Sequence, residues 1–425
     1  MSGTLLGPPA RTASRSPLSH WSDQVLASAP LTTAPLAAQQ QQARQTLARL
    51  MPPCRAQEPW RFTDMAPIAA IAPHLLVGGA DQALPTPVAG VHRLRIDGAT
   101  PTGMALPQGV TLLADAEAAA AAAALAPLGV VQAGDSWPAL FTQACAPRLL
   151  AFRVQGAAAA PLELVSHCGS AGGVLPVRLL FLLEAGAELD LLQVHRAMGA
   201  SLTSVQLDLV LGEGARLRHG LLAQGTATAS LLVTIHARQA PGSELCFTHV
   251  SGGWGLARIE PVLHQSQGAA LTRLRGLQVA GEGSCADTHS RVSFAGPAGS
   301  LDQVHRAVVD GSGHSVFNGA VVVPASAQRT QAAQISRNLL LSERGRVDTK
   351  PELEIVADDV RCTHGATVSR LQENELFYLQ SRGIGADQAA GLLLRGFCQD
   401  VIEGLPAAAA AWTPLDALLP RGRQR

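Results

Sequence analysis

One tyrosine in 425 residues, with aromatics at 4% of the chain, leaves few rings on which bases could stack. No basic stripe runs between those rings. Lys plus Arg equals Asp plus Glu at 32 each, so no charge bias draws the chain toward nucleic acid or an anionic membrane. No run of about eighteen apolar residues is present, which excludes a spanning helix. The tract Ala118–Ala124 is mostly alanine, with Asp115 and Glu117 just ahead of it. The seven cysteines are widely scattered and form no C-x-x-C, so no complete local four-cysteine site for zinc or an iron–sulfur cluster is written into the chain. An odd, scattered set fits reduced thiols in a cytosol-like compartment better than a disulfide framework. A Gly-rich phosphate loop, H-E-x-x-H and G-x-S-x-G are also missing.

What is there falls into three textures. Residues 1–150 are rich in Ala, Pro and Gln and are expected to be helical and partly disordered, with a helix through "QQQQARQTLARL". The opening "MSGTLLGPPARTASRSPLSHW" lacks the apolar core of a secretory signal. It bears Ser and Arg, stays free of acid until Asp23, and is expected to be a disordered extension faintly similar to an organellar transit peptide. An island, "EPWRFTDM" (Glu58 to Met65), gathers the local aromatics. Residues 151–368 carry short apolar runs ("RLLFLL", "QLDLVLG", "SLLVTIHA", "GAVVVP") bounded by turn residues, and read as strands. A turn signal recurs there at Gly186, Gly214, Gly242, Gly268 and Gly299, in steps of 28, 28, 26 and 31. Strand units at a nearly fixed step point to a β-helix, each coil burying its face on the next. A β-sandwich with irregular hairpins is the alternative. Residues 369–425 turn helical: "ENELFYLQSRG" ends at Gly383, and "ADQAAGLLLRGFCQDVIEGLP" places Ala389, Leu393, Phe397 and Val401 on one stripe. At the end of a solenoid these helices have little surface to cover, which makes an exposed partner face a live alternative to core packing.

The stretch "DDVRCTHGATV" (Asp358 to Val368) carries the local chemistry. If "PELEIVADDVRCTH" is one strand, Val360, Cys362 and His364 share a face, and Arg361 and Thr363 take the other. A thiolate beside an imidazole is a two-ligand platform for iron or zinc, and two ligands do not complete a site. The remaining ligands would converge from afar or come from another chain. The plain reading, a cysteine packed as a small hydrophobe and a hydrogen-bonded histidine, stays open. A Cys–His nucleophilic dyad is disfavoured because neighbours on one strand are poorly aimed for proton transfer. Asp358 and Asp359 are adjacent, suit a turn or the solvent face, and cannot pair as acid and base. His195, His249, His289, His305 and His314 are single and read as structural or surface residues. Glu188, Glu213 and Glu244 sit in the turn motif and look solvated, which weighs against a carbohydrate-active enzyme on the same solenoid. The cysteine spacing weighs against a self-sufficient zinc protein.

The runs "GHSVFNGAVVVPASAQRTQAAQISRNLLLS" (Gly313 to Ser342) and "DTKPELEIVADDVRCTHGATVSRLQENELFYLQSRGI" (Asp348 to Ile384) resemble the SufB/SufD family of iron–sulfur cluster assembly proteins. The resemblance covers about residues 160–405. Two details favour its SufD side: the island resembles the E-x-W-[KR]-[YF]-T-D element of SufD, and the motif reads Cys362-Thr363-His364-Gly365-Ala366 where SufB has Cys-x-His-Glu-Ala. The chain is also shorter than a typical SufB. Gln331 departs from the family by standing where an acidic residue is common.

The resemblance implies a mainly β fold, a right-handed parallel β-helix core flanked by N- and C-terminal helical regions. It also implies a non-catalytic scaffold subunit that pairs with SufB through the β-helix. ATP would be hydrolysed by SufC docked on the C-terminal helices from about Glu375 to Leu405, with Phe377, Tyr378 and Arg382 as anchors. A transient iron–sulfur cluster would be shared with SufB, with His364 as ligand and Cys362 as the weaker candidate. A reduced flavin is associated with the family's complex, and a homodimer is the alternative assembly when partners are absent. The compartment implied is the cytoplasm, or the plastid stroma in a plastid-bearing host.

Overall fold

A computed structural model describes residues 16–32, 34–76, 83–97, 101–103, 105–125, 136–169 and 172–419. The Ser/Arg-bearing extension lies, up to residue 15, outside the described residues. The chain is mainly β, 43% strand, and builds a parallel β-solenoid of about eight turns with helices at both termini. Along the solenoid, successive strands alternate between two sheets, of ten and nine strands, so each pairs in parallel with the strand two positions along the chain. Glu188–Ala197 pairs with Arg216–Gln224, for example, and Leu191 meets His219 in register.

The near-constant step has a visible cause. Gly186, Gly214 and Gly242 hold left-handed backbone, at φ 68°, 66° and 70°, on one edge of the solenoid. Each N–H at this edge donates to a carbonyl of the next coil: Gly186 to Glu213, Gly214 to Pro241 and Gly242 to Ala269. The ladder continues from Ala269 to Pro297, Ala298 to Gln328 and Arg329 to Asp359. In these last three coils the residue that donates this N–H is not glycine: φ is 53° at Ala269, which follows Gly268 at 87°, 58° at Ala298 and 62° at Arg329. The sequence repeat therefore slips by one residue at Gly299, where the Phe294 ring takes the space that a Cβ would need. Ala298→Gly removes a left-handed L-residue, and is expected to raise stability by about 0.5–1 kcal/mol. Gly186→Ala is expected to lower it by about 1 kcal/mol. Thermal melts of the two variants check both signs.

Apolar packing fills the solenoid and covers both sheets. The interior is a continuous apolar cluster running from Leu94 to Ala357. The N-terminal helices Pro17–Ser28 and Trp137–Cys145 pack Trp21, Trp137 and Phe141 onto Val174, Leu202 and Leu232 of the nine-stranded sheet. The C-terminal helix Ala386–Ile402 lies along the ten-stranded sheet, packing Leu394, Cys398 and Val401 with Leu192, Leu222, Val250 and Leu277. This corrects the expectation that a solenoid offers such helices little surface. Parallel strands covered on both faces are apolar on both faces, and that flank of the solenoid is one the helix can cover. The stripe also rotates: Ala389 and Val401 are buried as expected, and Leu394 and Cys398 join them in place of the half-buried Leu393 and Phe397. Among the described residues, no helix is long and apolar enough to cross a membrane.

The expected single strand through "PELEIVADDVRCTH" is instead two. Arg346–Ile355 belongs to the nine-stranded sheet and Arg361–Ser369 to the ten-stranded one. The break is the last rung of the edge ladder, where Asp359 accepts the Arg329 N–H and donates its own N–H to the Gln328 side chain. Asp358 and Asp359 thus occupy a turn.

Candidate functional site

The solenoid's last coil is where Cys362 and His364 stand. Strand Arg361–Ser369 pairs only with Gln331–Leu340, and Arg346–Ile355 only with His314–Val323, so both sheets end on unpaired edges among the described residues. An unpaired parallel edge is a row of free N–H and C=O groups able to template another chain. The apolar side chains around it are left bare: Val356 is 69% exposed and Val368 49%. Neither terminal strand has a fully buried residue.

Register fixes where the two candidate ligands stand. Cys362 pairs with Ala332 and His364 with Gln334, both of which are buried. Cys362 and His364 therefore continue two inward-facing columns, as alternation on a strand requires. Cys362 is half-buried and packs on the interior cluster, whereas His364 is exposed. Burial pushes the Cys362 thiol up, with a backbone hydrogen bond at Ala332 opposing it. Metal binding there must displace a proton, and an unassisted thiolate nucleophile is disfavoured.

The His364 column has a feature that sequence reading missed. Traced back coil by coil it runs Gln334, Gln303, Leu274, Phe247 and His219. Gln334 donates to Gln303 at 2.9 Å, and Gln303 donates to Ser290 at 2.7 Å. The Gln334 carbonyl oxygen is buried without a partner, one rung below His364. The adjacent column holds His249 and His305, with ring centroids 6.2 Å apart. Burial drives His195 down to about 4, His219 to about 3 and His249 to about 4, and holds His305 well below its usual range. These histidines are neutral core residues, single in sequence and brought together only by the coil register.

No three His, Cys, Asp or Glu side chains converge as a metal site among the described residues. Cys362 and His364 are two candidate ligands on one strand, and two do not make a site. The other cysteines do not complete it: all are unpaired, and burial pushes Cys168 up to about 11 and Cys285 and Cys398 up to about 12. Of the three anchor positions, Phe377 is 71% and Tyr378 58% exposed on the helix Glu373–Ser381, which buries no residue. The Arg382 guanidinium lies 5.3 Å from the Tyr378 ring centre.

A second polar region, a groove of about 540 Å³, lies between the "EPWRFTDM" island and the nine-stranded sheet. Its carboxylates are occupied: Glu58 pairs with Lys350, Glu260 with Arg258 and Glu352 with Lys350. The groove rests on a clasp that holds the island. Buried Arg258 lies 3.8 Å from the Trp60 ring centre and donates to the Pro59 carbonyl at 2.9 Å and to Asp287 at 2.5 Å. Thr63 donates to the same Asp287 oxygen. Full burial pushes the Asp287 carboxyl up, but the charges of Arg258 and His289 and the hydrogen bonds of His289 and Thr63 outweigh it and hold the group far below the usual range.

The family model described as "SUF system FeS cluster assembly, SufBD core domain" matches residues 167–397, just over half of the chain. The chain belongs to the SufBD family. Those bounds run from the end of strand Leu162–Cys168 through the open end of the solenoid and into the docked helix Ala386–Ile402. An iron–sulfur cluster assembly SufBD family protein of Synechocystis sp. is 33% identical over 241 residues, covering 54% of this chain and 53% of its own. The chloroplastic protein ABCI7 of Arabidopsis thaliana is 35% identical over 239 residues, covering 55% and 50%. The iron–sulfur cluster assembly protein SufD of Escherichia coli is 43% identical over 103 residues, 24% of each chain. The matched region thus spans about half the length of the first two SufBD relatives and a quarter of the third.

Proposed function

We propose that this chain is a SufD-like, non-catalytic subunit of a SufB–SufC–SufD assembly, on which iron–sulfur clusters are built at the boundary with SufB. The observation that carries the reading is the uncapped last coil: two unpaired sheet edges, bare apolar side chains and a two-ligand strand in one place. A partner with its own solenoid end covers the edge and supplies the missing ligands. The nascent cluster is cargo, held between His364 of this chain and partner groups, with Cys362 as the secondary ligand. Support for the SufD branch comes from the "EPWRFTDM" island and from His364-Gly365 in the motif. Gly365 has ordinary backbone and open space around the position of a Cβ, so its identity is not dictated by the fold.

The organisation is 1–150 for the N-terminal region, helical apart from the short strands His92–Arg95, Thr102–Gly103 and Val110–Leu112 that it adds to the solenoid sheets, 151–368 for the core and 369–425 for ATPase docking. SufC docks on the helix bearing Phe377 and Tyr378, with Arg382 alongside, since two bare aromatics and an arginine are typical interface anchors. Arg306 ties the neighbouring helix to the solenoid by gripping the Phe397 carbonyl and Asp400, a rigid route for SufC movement to reach the core. ATP can open the shared boundary only if SufC binds the open state more tightly. Reduced flavin belongs to the assembled complex, a homodimer covers the open end when partners are absent, and the assembly works in the cytoplasm or the plastid stroma.

Co-expression of a tagged chain with SufB- and SufC-type partners is expected to recover all three together. Phe377→Ala with Tyr378→Ala is expected to lose SufC and keep SufB. Recovery of the tagged chain alone would sink the reading.

A further inference from the structure

At the end of the solenoid opposite His364, a cavity of about 410 Å³ lies between the N-terminal helices and the first coils. That volume falls within the range of small-molecule sites. Leu76, Ile96, Leu150, Leu175 and Val177 make its walls apolar. Two guanidinium groups line it, Arg148 and Arg178. Arg178 is only 8% exposed. Its Nη2 donates to the Gln39 side chain at 3.0 Å, and its buried Nε has no hydrogen-bond partner.

The other charged group of the lining, Asp97, is already answered. It accepts from Arg95 at 3.1 Å and from the His167 backbone N–H at 3.0 Å. Burial disfavours the charged form of both Arg148 and Arg178, with Asp115 and Asp208 opposing it. A buried cation with an unused donor, beside a second cation and a dry wall, is poorly served by the protein alone.

We propose that this cavity binds a small amphipathic oxyanion, an organic carboxylate or phosphate whose head is held by Arg178 and Arg148 and whose apolar body fills the space. A bound oxyanion gives the Arg178 Nε its acceptor and sets a charge against two guanidinium groups, which favour planar bidentate contacts. The apolar body displaces solvent from the leucine and valine walls. The site lies far along the solenoid from the open end and shares no residue with it.

The test uses the full chain and the fluorescent anion 1-anilinonaphthalene-8-sulfonate, titrated and then competed with decanoate or phenyl phosphate. Expected are saturable one-to-one binding and displacement by at least one competitor. Decanoate alone identifies a carboxylate site, phenyl phosphate alone a phosphate site, and both a general oxyanion site. Arg148→Gln and Arg178→Gln are each expected to weaken binding by about tenfold or more, the scale of a lost hydrogen bond to a charged group. Leu76→Trp, at the cavity wall, is expected to abolish binding in a chain whose circular dichroism and melting are unchanged, which guards against an unfolded arginine variant. No saturable binding, no displacement by either competitor, or undiminished binding by Leu76→Trp and Arg148→Gln would overturn the proposal.

Discussion

Asp287→Ala is expected to destabilise the fold by about 3 kcal/mol, the lower end of the cost of removing one partner from a buried ion pair, because Glu260 still answers Arg258. Asp287 receives Arg258 and Thr63 on one oxygen and faces His289 Nε2 at 3.1 Å on the other. Removing it leaves the Arg258 guanidinium, itself 2% exposed beneath Trp60, with Glu260 as its remaining carboxylate. The N-terminal island should then detach before the solenoid melts, because Thr63 and Pro59 are held to the sheet through this cluster. Urea unfolding followed by tryptophan fluorescence measures both effects. The triple variant Asp287→Leu with Arg258→Met and Glu260→Gln should recover much of the loss, since it removes the three linked charges together. A loss below about 1 kcal/mol for Asp287→Ala, the scale of an exposed ion pair, would mean that the clasp is incidental.

Mild acid is expected to unfold the chain with an unusually steep dependence on pH. His195, His219, His249 and His305 are buried and neutral, with folded values depressed below the unfolded value of about 6.5. The unfolded chain therefore takes up protons that the folded chain refuses. Stability is complete above about pH 6.5 and is lost as pH falls from there toward about 4. Each such histidine costs about 1.4 kcal/mol per pH unit over that window. Four acting together give about 5 kcal/mol per unit, enough to remove a typical domain's stability before about pH 4. Equilibrium unfolding at a series of pH values, from about 7.5 to about 4.5, measures the slope. His249→Leu should lower the slope by about 1.4 kcal/mol per pH unit. A flat profile down to about pH 5 would mean that these rings are protonated or hydrated in the folded state.

Much of the fold could be read from residues that repeat. Gly186, Gly214 and Gly242 mark the coil edge because glycine suits left-handed backbone, and their common step is one solenoid turn. The mark fails where Ala269, Ala298 and Arg329 take the same conformation, since the ladder of carbonyl acceptors holds them there regardless of type. The strand break at Asp358–Asp359 was hidden because the apolar alternation runs through it. What ends the strand is the acceptor that Arg329 needs from another coil. Histidines at 195, 219, 249 and 305 look unrelated along the chain and become neighbours only through parallel register. The Thr63–Asp287 contact spans 224 residues, beyond any local pattern.

At the site, Cys362 and His364 were legible as a same-face pair, because two-residue alternation is a property of any strand. Their placement on an unpaired edge was not, because it depends on where the solenoid stops. The stretch read as one strand also hid the turn that presents them. No third ligand is marked near the pair by the spacing of the other cysteines.

The most direct test of that shared boundary is cluster formation by His364→Ala, co-expressed with SufB- and SufC-type partners and reconstituted with iron and sulfide. The account predicts an unchanged yield of the three-part complex and a fall of about tenfold in cluster absorbance per complex. Cys362→Ser should have a smaller effect. Full cluster formation by His364→Ala in an intact complex would contradict the central claim.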